Sequence, residues 1–237
     1  MSSTALLAVA HGSPDPRAET VLEALVARVR AERPGLAASL AFLGNNAPDV
    51  PTAARSLIAD GARRVIVVPL LLTAAYHAGT DLPALLDELR IAFPDVVFGQ
   101  TPVLGPHRLL FSLLRRRLVE AGADPSASVV LGAVGTSDAR ANAELADVAA
   151  SIGATIGFAA GNPLIGRVVD DVRAATDRQV VVASYVLAPG LLPDRFAATK
   201  ADVVTRPLGA EQEIVDIVLE RYDAETAASE CQISAVE

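Results

Sequence analysis

The sequence contains no tryptophan, one methionine, one cysteine, one lysine (Lys200) and only three histidines. Each scarcity removes a class of function. The single cysteine, Cys231, lies in a polar C-terminal stretch, so it has no partner for an internal disulfide and there is no thiolate cluster for zinc or iron–sulfur. A cytoplasmic protein is therefore expected. Apolar runs reach only about eight residues, against the roughly 18–20 needed to span a bilayer, and no membrane partner is expected. The opening residues Met1-Ser2-Ser3-Thr4-Ala5 have no basic n-region and lead directly into an apolar run, which reads as a first strand and not as a secretory leader. Formal net charge is −8, which disfavours nucleic acid and requires that any anionic ligand be attracted by local positive charge. Arg115-Arg116-Arg117 reads as a solvated helical face. There is no Gly-x-Gly-x-x-Gly fingerprint and no P-loop, so neither a nucleotide nor another organic cofactor is expected.

What the chain does have is an apolar content of 51%, arranged as short apolar runs that alternate with helical periodicity. Strands are expected at about 4–10, 38–43, 64–72 and 96–101, and helices at about 16–32, 49–60, 82–93 and 107–121. Pro34-Gly35, Asp60-Gly61 and Pro94-Asp95 end the first three helices. Thr80 or Asp81 is the expected N-cap of the third, with Pro83 in its first turn. Continuous apolar strands alternating with helices predict an α/β fold of parallel sheets covered on both faces.

The plan then repeats. Val134-Gly135-Thr136-Ser137-Asp138 follows its strand as His11-Gly12-Ser13-Pro14-Asp15 follows the first. Arg178 to Val182 mirrors Arg64 to Val68, and Leu208-Gly209-Ala210-Glu211 mirrors Leu104-Gly105-Pro106-His107. Three matches in the same order indicate internal duplication. The expectation is two similar lobes, each a mostly parallel four-stranded sheet with helices on both faces. Residues 1–122 form the first, 127–224 the second, Gly122-Ala123-Asp124-Pro125-Ser126 the linker, and 225–237 a frayed polar tail. A cleft between two such lobes suits a large flat ligand. A monomer is expected, with a dimer as the alternative.

The halves differ where chemistry is expected. His11 ends the first strand, and His77 follows Val65-Ile66-Val67-Val68-Pro69-Leu70-Leu71-Leu72, so two imidazoles occupy the carboxyl ends of parallel strands, where open α/β sheets bind ligands. The second half has no histidine. Alone, either imidazole reads equally well as a strand-capping core residue. As a pair they read as metal ligands. Imidazole suits Fe²⁺, Co²⁺ and Ni²⁺, and an unperturbed pKa of about 6.5 also lets it accept a proton. Ser13 and Asp15 are helix caps or supports for the His11 ring. Arg17 is a surface residue or a bidentate clamp on a carboxylate. His107, opening a helix, reads as structural. Gly12 and Gly135 serve tight strand-to-helix turns.

Ala10-His11-Gly12-Ser13-Pro14-Asp15-Pro16-Arg17, then Val67-Val68-Pro69-Leu70-Leu71-Leu72 leading to His77 and Asp81-Leu82-Pro83, then Leu104-Gly105-Pro106, resemble the class II chelatases of the sirohydrochlorin cobaltochelatase/ferrochelatase family in its long, duplicated form. The resemblance implies ATP-independent insertion of Fe²⁺ or Co²⁺ into sirohydrochlorin or a related tetrapyrrole, on the way to sirohaem or cobalamin. It implies His11 and His77 as metal ligands and proton acceptors, with Gly12, Ser13, Arg17, Leu72 and Tyr76 against the substrate. The sequence departs from the pattern in two places. Gly44 stands where relatives commonly carry a metal-binding acid, with Asn45, Asn46 or Asp49 as substitutes, and Gly79-Thr80 stands where a basic residue is frequent. Gly44 keeps open a non-catalytic tetrapyrrole or metal carrier. A two-lobed solute binder is disfavoured by the lack of a leader signature.

Overall fold

A computed structural model describes residues 3–73 and 81–234, apart from the side chains of Ser3 and 229–234. His77 and Tyr76 lie outside the described residues. The first sheet comprises β1 (Ser3–Ala10), β2 (Ala38–Phe42), β3 (Ala62–Pro69) and β4 (Val97–Gln100), all parallel in the order β2-β1-β3-β4. Between them run α1 (Pro16–Glu32), α2 (Val50–Ala59) and α3 (Leu82–Ala92). Alternation along β1 sends Ala5, Leu7 and Val9 into one core with Ala53, Ala54 and Leu57 of α2 and Leu82, Leu86 and Leu89 of α3. Leu6 and Ala8, equally buried, point to the opposite face, which α1 and the last helix cover. The expected strands and helices are all present, with ends shifted by at most three residues, the largest shift being the end of β3 at Pro69. Asp81 stands at the N-cap position of α3, yet its side chain makes no capping hydrogen bond there.

The second sheet repeats the order as β6-β5-β7-β8, again parallel. Its strands are β5 (Ser128–Ala133), β6 (Thr155–Phe158), β7 (Val180–Ser184) and the two-residue β8 (Val203–Val204). Its helices include α5 (Ala139–Ser151), α6 (Ile165–Ala175) and the single turn α7 (Asp194–Ala197). The duplication extends to individual hydrogen bonds. Leu70 N–H donates to Val9 O and Tyr185 N–H to Gly132 O, both at 2.7 Å. Thr101 N–H donates to Val67 O and Thr205 N–H to Val182 O, both at 2.9 Å. These pairs put Val182 opposite Val67 in the repeat, one residue away from the alignment expected from sequence. β3 and β7 are apolar on both faces, so their pattern lacks the alternation that would fix a register.

The compact units do not follow the expected division into 1–122 and 127–224. One consists of Met1–Gly105 with Ala210–Glu237, the other of Pro106–Gly209. The closing helices of the two repeats, α4 (Arg108–Glu120) and α8 (Gln212–Ser234), are exchanged. Arg117 shows why α4 belongs to the second unit. Expected to be solvated, it is 3% exposed, and its guanidinium donates to Pro207 O at 3.1 Å and Leu208 O at 2.8 Å and pairs with Glu120. On the other side Tyr222 of α8 donates to Thr4 O, Asp223 pairs with Arg33, and Arg28 donates to Ala210 O. The chain therefore passes between units at Gly105–Pro106 and Gly209–Ala210, inside the repeated Leu-Gly motifs, and Gly122–Ser126 lies within the second unit. Residues expected to fray after 224 continue α8 through Ser234.

Candidate functional site

β1 ends at Ala10, and His11 stands immediately beyond it, exposed at the carboxyl edge of the first sheet. The following turn depends on glycine. Gly12 has φ +90°, and a Cβ there would lie 1.8 Å from Gly44 O. Any side chain would push the β1–α1 turn away from the loop after β2. The two segments are stitched together by Gly44 N–H donating to His11 O at 3.1 Å and by Leu43 N–H donating to Ala10 O at 2.9 Å. β3 brings Leu70 to Val9 through a backbone bond and continues into Leu71 and Leu72, both half-buried. Leu71 O in turn accepts from Leu104 N–H. Thus the ends of β1, β2 and β3 present His11, Gly44 and Leu72 along one edge.

Asp15 caps α1, accepting from Arg17 N–H at 3.0 Å, and the Ser13 hydroxyl accepts from Asp15 N–H at 3.1 Å. Both belong to the turn that follows His11. Arg17 lies over its own cap, with Nη2 2.5 Å from Asp15 Oδ2 and Nε 3.0 Å from Oδ1. The hydrogen bond from Arg17 holds the Asp15 carboxyl below the usual carboxylate range. The Arg17 side chain is 53% exposed.

Of the groups expected to replace an acid at Gly44, two have duties elsewhere. Asp49 caps α2 by accepting from Thr52 N–H at 2.8 Å. Asn46 Oδ1 accepts from Ser13 N–H at 2.7 Å, while its Nδ2 donates to Glu19 Oε2 at 3.0 Å. Asn45 has φ 64°, a conformation that asparagine tolerates better than most residues. A Cβ on Gly44 would meet nothing within 4 Å, so the glycine is not forced by crowding. Glu19 escaped the sequence reading, because a glutamate in a first turn looks like helix-end electrostatics. His107 is the N-cap of α4, its Nδ1 accepting from Leu109 N–H at 3.3 Å. Among the described residues, no three His, Cys, Asp or Glu side chains converge as a metal-binding group. His77 is not among them.

The second unit shows the same turn without the imidazole. Gly135 has φ +85° and its Cβ would fall 2.3 Å from Ala160 O. Ala160 N–H donates to Val134 O, the counterpart of His11 O, at 2.8 Å. Asp138 caps α5 as Asp15 caps α1.

Comparison with known proteins agrees with this architecture. The CbiX family model matches residues 5–121. A sirohydrochlorin cobaltochelatase of Priestia megaterium is 29% identical over 205 residues, covering 81% of this chain and 66% of its own length. A sirohydrochlorin ferrochelatase of the same organism is 26% identical, covering 79% of this chain and 74% of its own. The structure of SirB from Bacillus subtilis with Fe³⁺ superposes with a TM-score of 0.85 at 22% identity, over 98% of both chains, so the fold is shared along the whole length. The chain is thus similar in its first half to the CbiX family model, and over about four-fifths of its length to sirohydrochlorin chelatases.

Proposed function

We propose that this chain inserts a divalent metal, Co²⁺ or Fe²⁺, into sirohydrochlorin or a close tetrapyrrole relative. The observation that carries the proposal is the match across 81% of the chain to a sirohydrochlorin cobaltochelatase. The exposed His11 at the strand edge agrees with it. The metal is a substrate. His11 and His77 bind it through neutral imidazole nitrogens, leaving coordination positions open to pyrrole nitrogens. Two pyrrole N–H bonds break as the metal becomes bound by the four ring nitrogens, so the macrocycle exchanges two protons for one M²⁺. The imidazoles, freed as the metal transfers, accept those protons and pass them to water. No ATP and no organic cofactor take part, and Ni²⁺ is a further candidate metal because imidazole accepts it equally well.

Gly12 and Ser13 lie against the substrate at the turn, Arg17 holds a peripheral carboxylate, and Leu72 and Tyr76 flank the macrocycle. Net charge is −8, so recognition of a polycarboxylate depends on such local cations. The protein acts as a cytoplasmic monomer; among the described residues no helix is long and apolar enough to cross a membrane. A second reading, a carrier that binds without turnover, rests on Gly44. Anaerobic incubation with sirohydrochlorin and Fe²⁺, Co²⁺ or Ni²⁺, followed by absorbance, tests both. Catalytic conversion at substoichiometric protein supports the chelatase. Stoichiometric binding with no rate above the protein-free reaction supports the carrier.

A further inference from the structure

The two repeats solve one local problem in different ways. The N–H of the second residue after the strand-end position needs an acceptor. In the second unit Thr136 N–H donates to Asn142 Oδ1 at 3.1 Å, and Asn142 Nδ2 returns a bond to Thr136 O at 2.7 Å. Asn142 stands four residues after the cap Asp138, so the solution is local to one turn and one helix. Glu19 holds the corresponding place after Asp15 in the first unit. There, Ser13 N–H is satisfied instead by Asn46, 33 residues away on the loop after β2, and Glu19 grips Asn46 from behind. That loop is one residue longer, from Phe42 to Pro48, than its counterpart from Phe158 to Pro163. An asparagine at position 19 would serve the turn as well as Asn142 does. The longer arrangement therefore does something that folding of the turn does not require, and it occurs in the repeat that carries the imidazole.

We infer that Asn46 and Glu19 are a positioning pair for His11. The inference rests on the proposed role of His11. Asn46 joins the His11-Gly12-Ser13 turn to the loop bearing Gly44, and Glu19 fixes the amide so that its oxygen faces Ser13. Gly44 O accepts from Asn46 N–H at 2.8 Å, and Gly44 N–H donates to His11 O. A closed ring of bonds thus runs from the His11 carbonyl through Gly44, Asn46 and Ser13 back to the imidazole-bearing residue. Groups that orient a metal-binding histidine without touching the metal typically change affinity or activity by roughly 10–100-fold when removed.

The test is titration with Co²⁺, read by its visible d–d spectrum, beside kcat and KM for cobalt insertion into sirohydrochlorin and a thermal melt of each variant. Asn46→Ala is expected to weaken Co²⁺ binding roughly tenfold and shift the spectrum. Asn46→Asp sets two carboxylates against each other and is expected to do the same. Adding Glu19→Gln to Asn46→Asp restores the bond with donor and acceptor reversed, and is expected to restore affinity and spectrum. Glu19→Asn with Asn46→Ala copies the arrangement of the second unit. It is expected to melt like the wild type and still bind Co²⁺ weakly, which separates positioning from folding. Wild-type Co²⁺ affinity and spectrum in that folded double variant would overturn the inference, as would failure of Glu19→Gln to rescue Asn46→Asp. Unchanged Co²⁺ binding in His11→Ala is a different result. It would overturn the role of His11 and the positioning inference with it.

Discussion

At the residue scale, Gly44 is one of the two places where the sequence departs from the pattern it resembles, and the structure makes that departure testable. A Cβ there has open space, so a side chain can be introduced without disturbing the contact between Gly12 and Gly44 O. Gly44→Glu is expected to tighten Co²⁺ binding, because it adds a hard anionic ligand beside the strand-end imidazole. Turnover need not rise, since a more tightly held ground state must be left during transfer. Calorimetric titration of Co²⁺ into both proteins checks this; equal affinity would show that residue 44 does not face the metal. The place of His11 was legible in the sequence, because an apolar run ending at Ala10 and the Gly-Ser-Pro-Asp turn after it set the residue at the edge of the sheet. The Asn46–Glu19 bond was not legible. Hydrogen bonds between side chains 27 residues apart leave no periodic trace.

At the element scale, the strands and helices follow closely from the sequence, since turn formers bound each apolar segment and aspartates cap α1, α2 and α5. Register was harder to read. A one-residue slip in β7 against its repeat was invisible, because a run buried on both faces has no polar side to mark it. Helix α4 shows how one buried charge organises an element. Arg117, Arg116 and Arg206 converge on Glu120, and hydrogen bonds from Arg117 and Arg116 hold its carboxyl down at about 2 against a usual 4.5. A depressed carboxylate stabilises the fold above its unfolded pKa and loses that contribution as pH falls through its folded value. The contribution should therefore be complete above pH about 4.5 and vanish toward about 2. Glu120→Gln should flatten this part of the acid-unfolding profile, measured by circular dichroism, and leave stability near pH 7 lower than in the wild type. An unchanged acid profile would show that the cluster is not formed in solution. Arg117→Ala should destabilise by about 3 kcal/mol, because it strips one buried and one part-buried carbonyl of a charged donor. Chemical denaturation measures that loss.

At the scale of the whole molecule, the exchange of α4 and α8 makes each unit depend on chain from both halves of the sequence. Periodicity shows that a repeat ends in an amphipathic helix but not which of two equivalent sheets that helix covers, so the division at 122 was the natural but incorrect reading. A fragment of residues 1–122 should fail to behave as a folded monomer. It would lack α8, with Ile214, Val215, Ile217 and Val218 fully buried in the intact chain, and would expose Leu110, Leu113 and Leu114 of α4. Size-exclusion chromatography checks this, and a cooperative, monomeric fragment would contradict the exchange.

The central claim is that the His11 edge of the first unit transfers a metal to a tetrapyrrole. The most direct measurement is the anaerobic rate of Co²⁺ insertion into sirohydrochlorin, followed by absorbance, for the wild type, His11→Ala, His77→Ala and His107→Ala. His11→Ala and His77→Ala are expected to lose roughly 100-fold or more while keeping the wild-type circular dichroism spectrum. His107→Ala removes a helix cap, worth about 1 kcal/mol, and is expected to turn over at nearly the wild-type rate. Full activity in His11→Ala, or equal losses in His11→Ala and His107→Ala, would contradict the account.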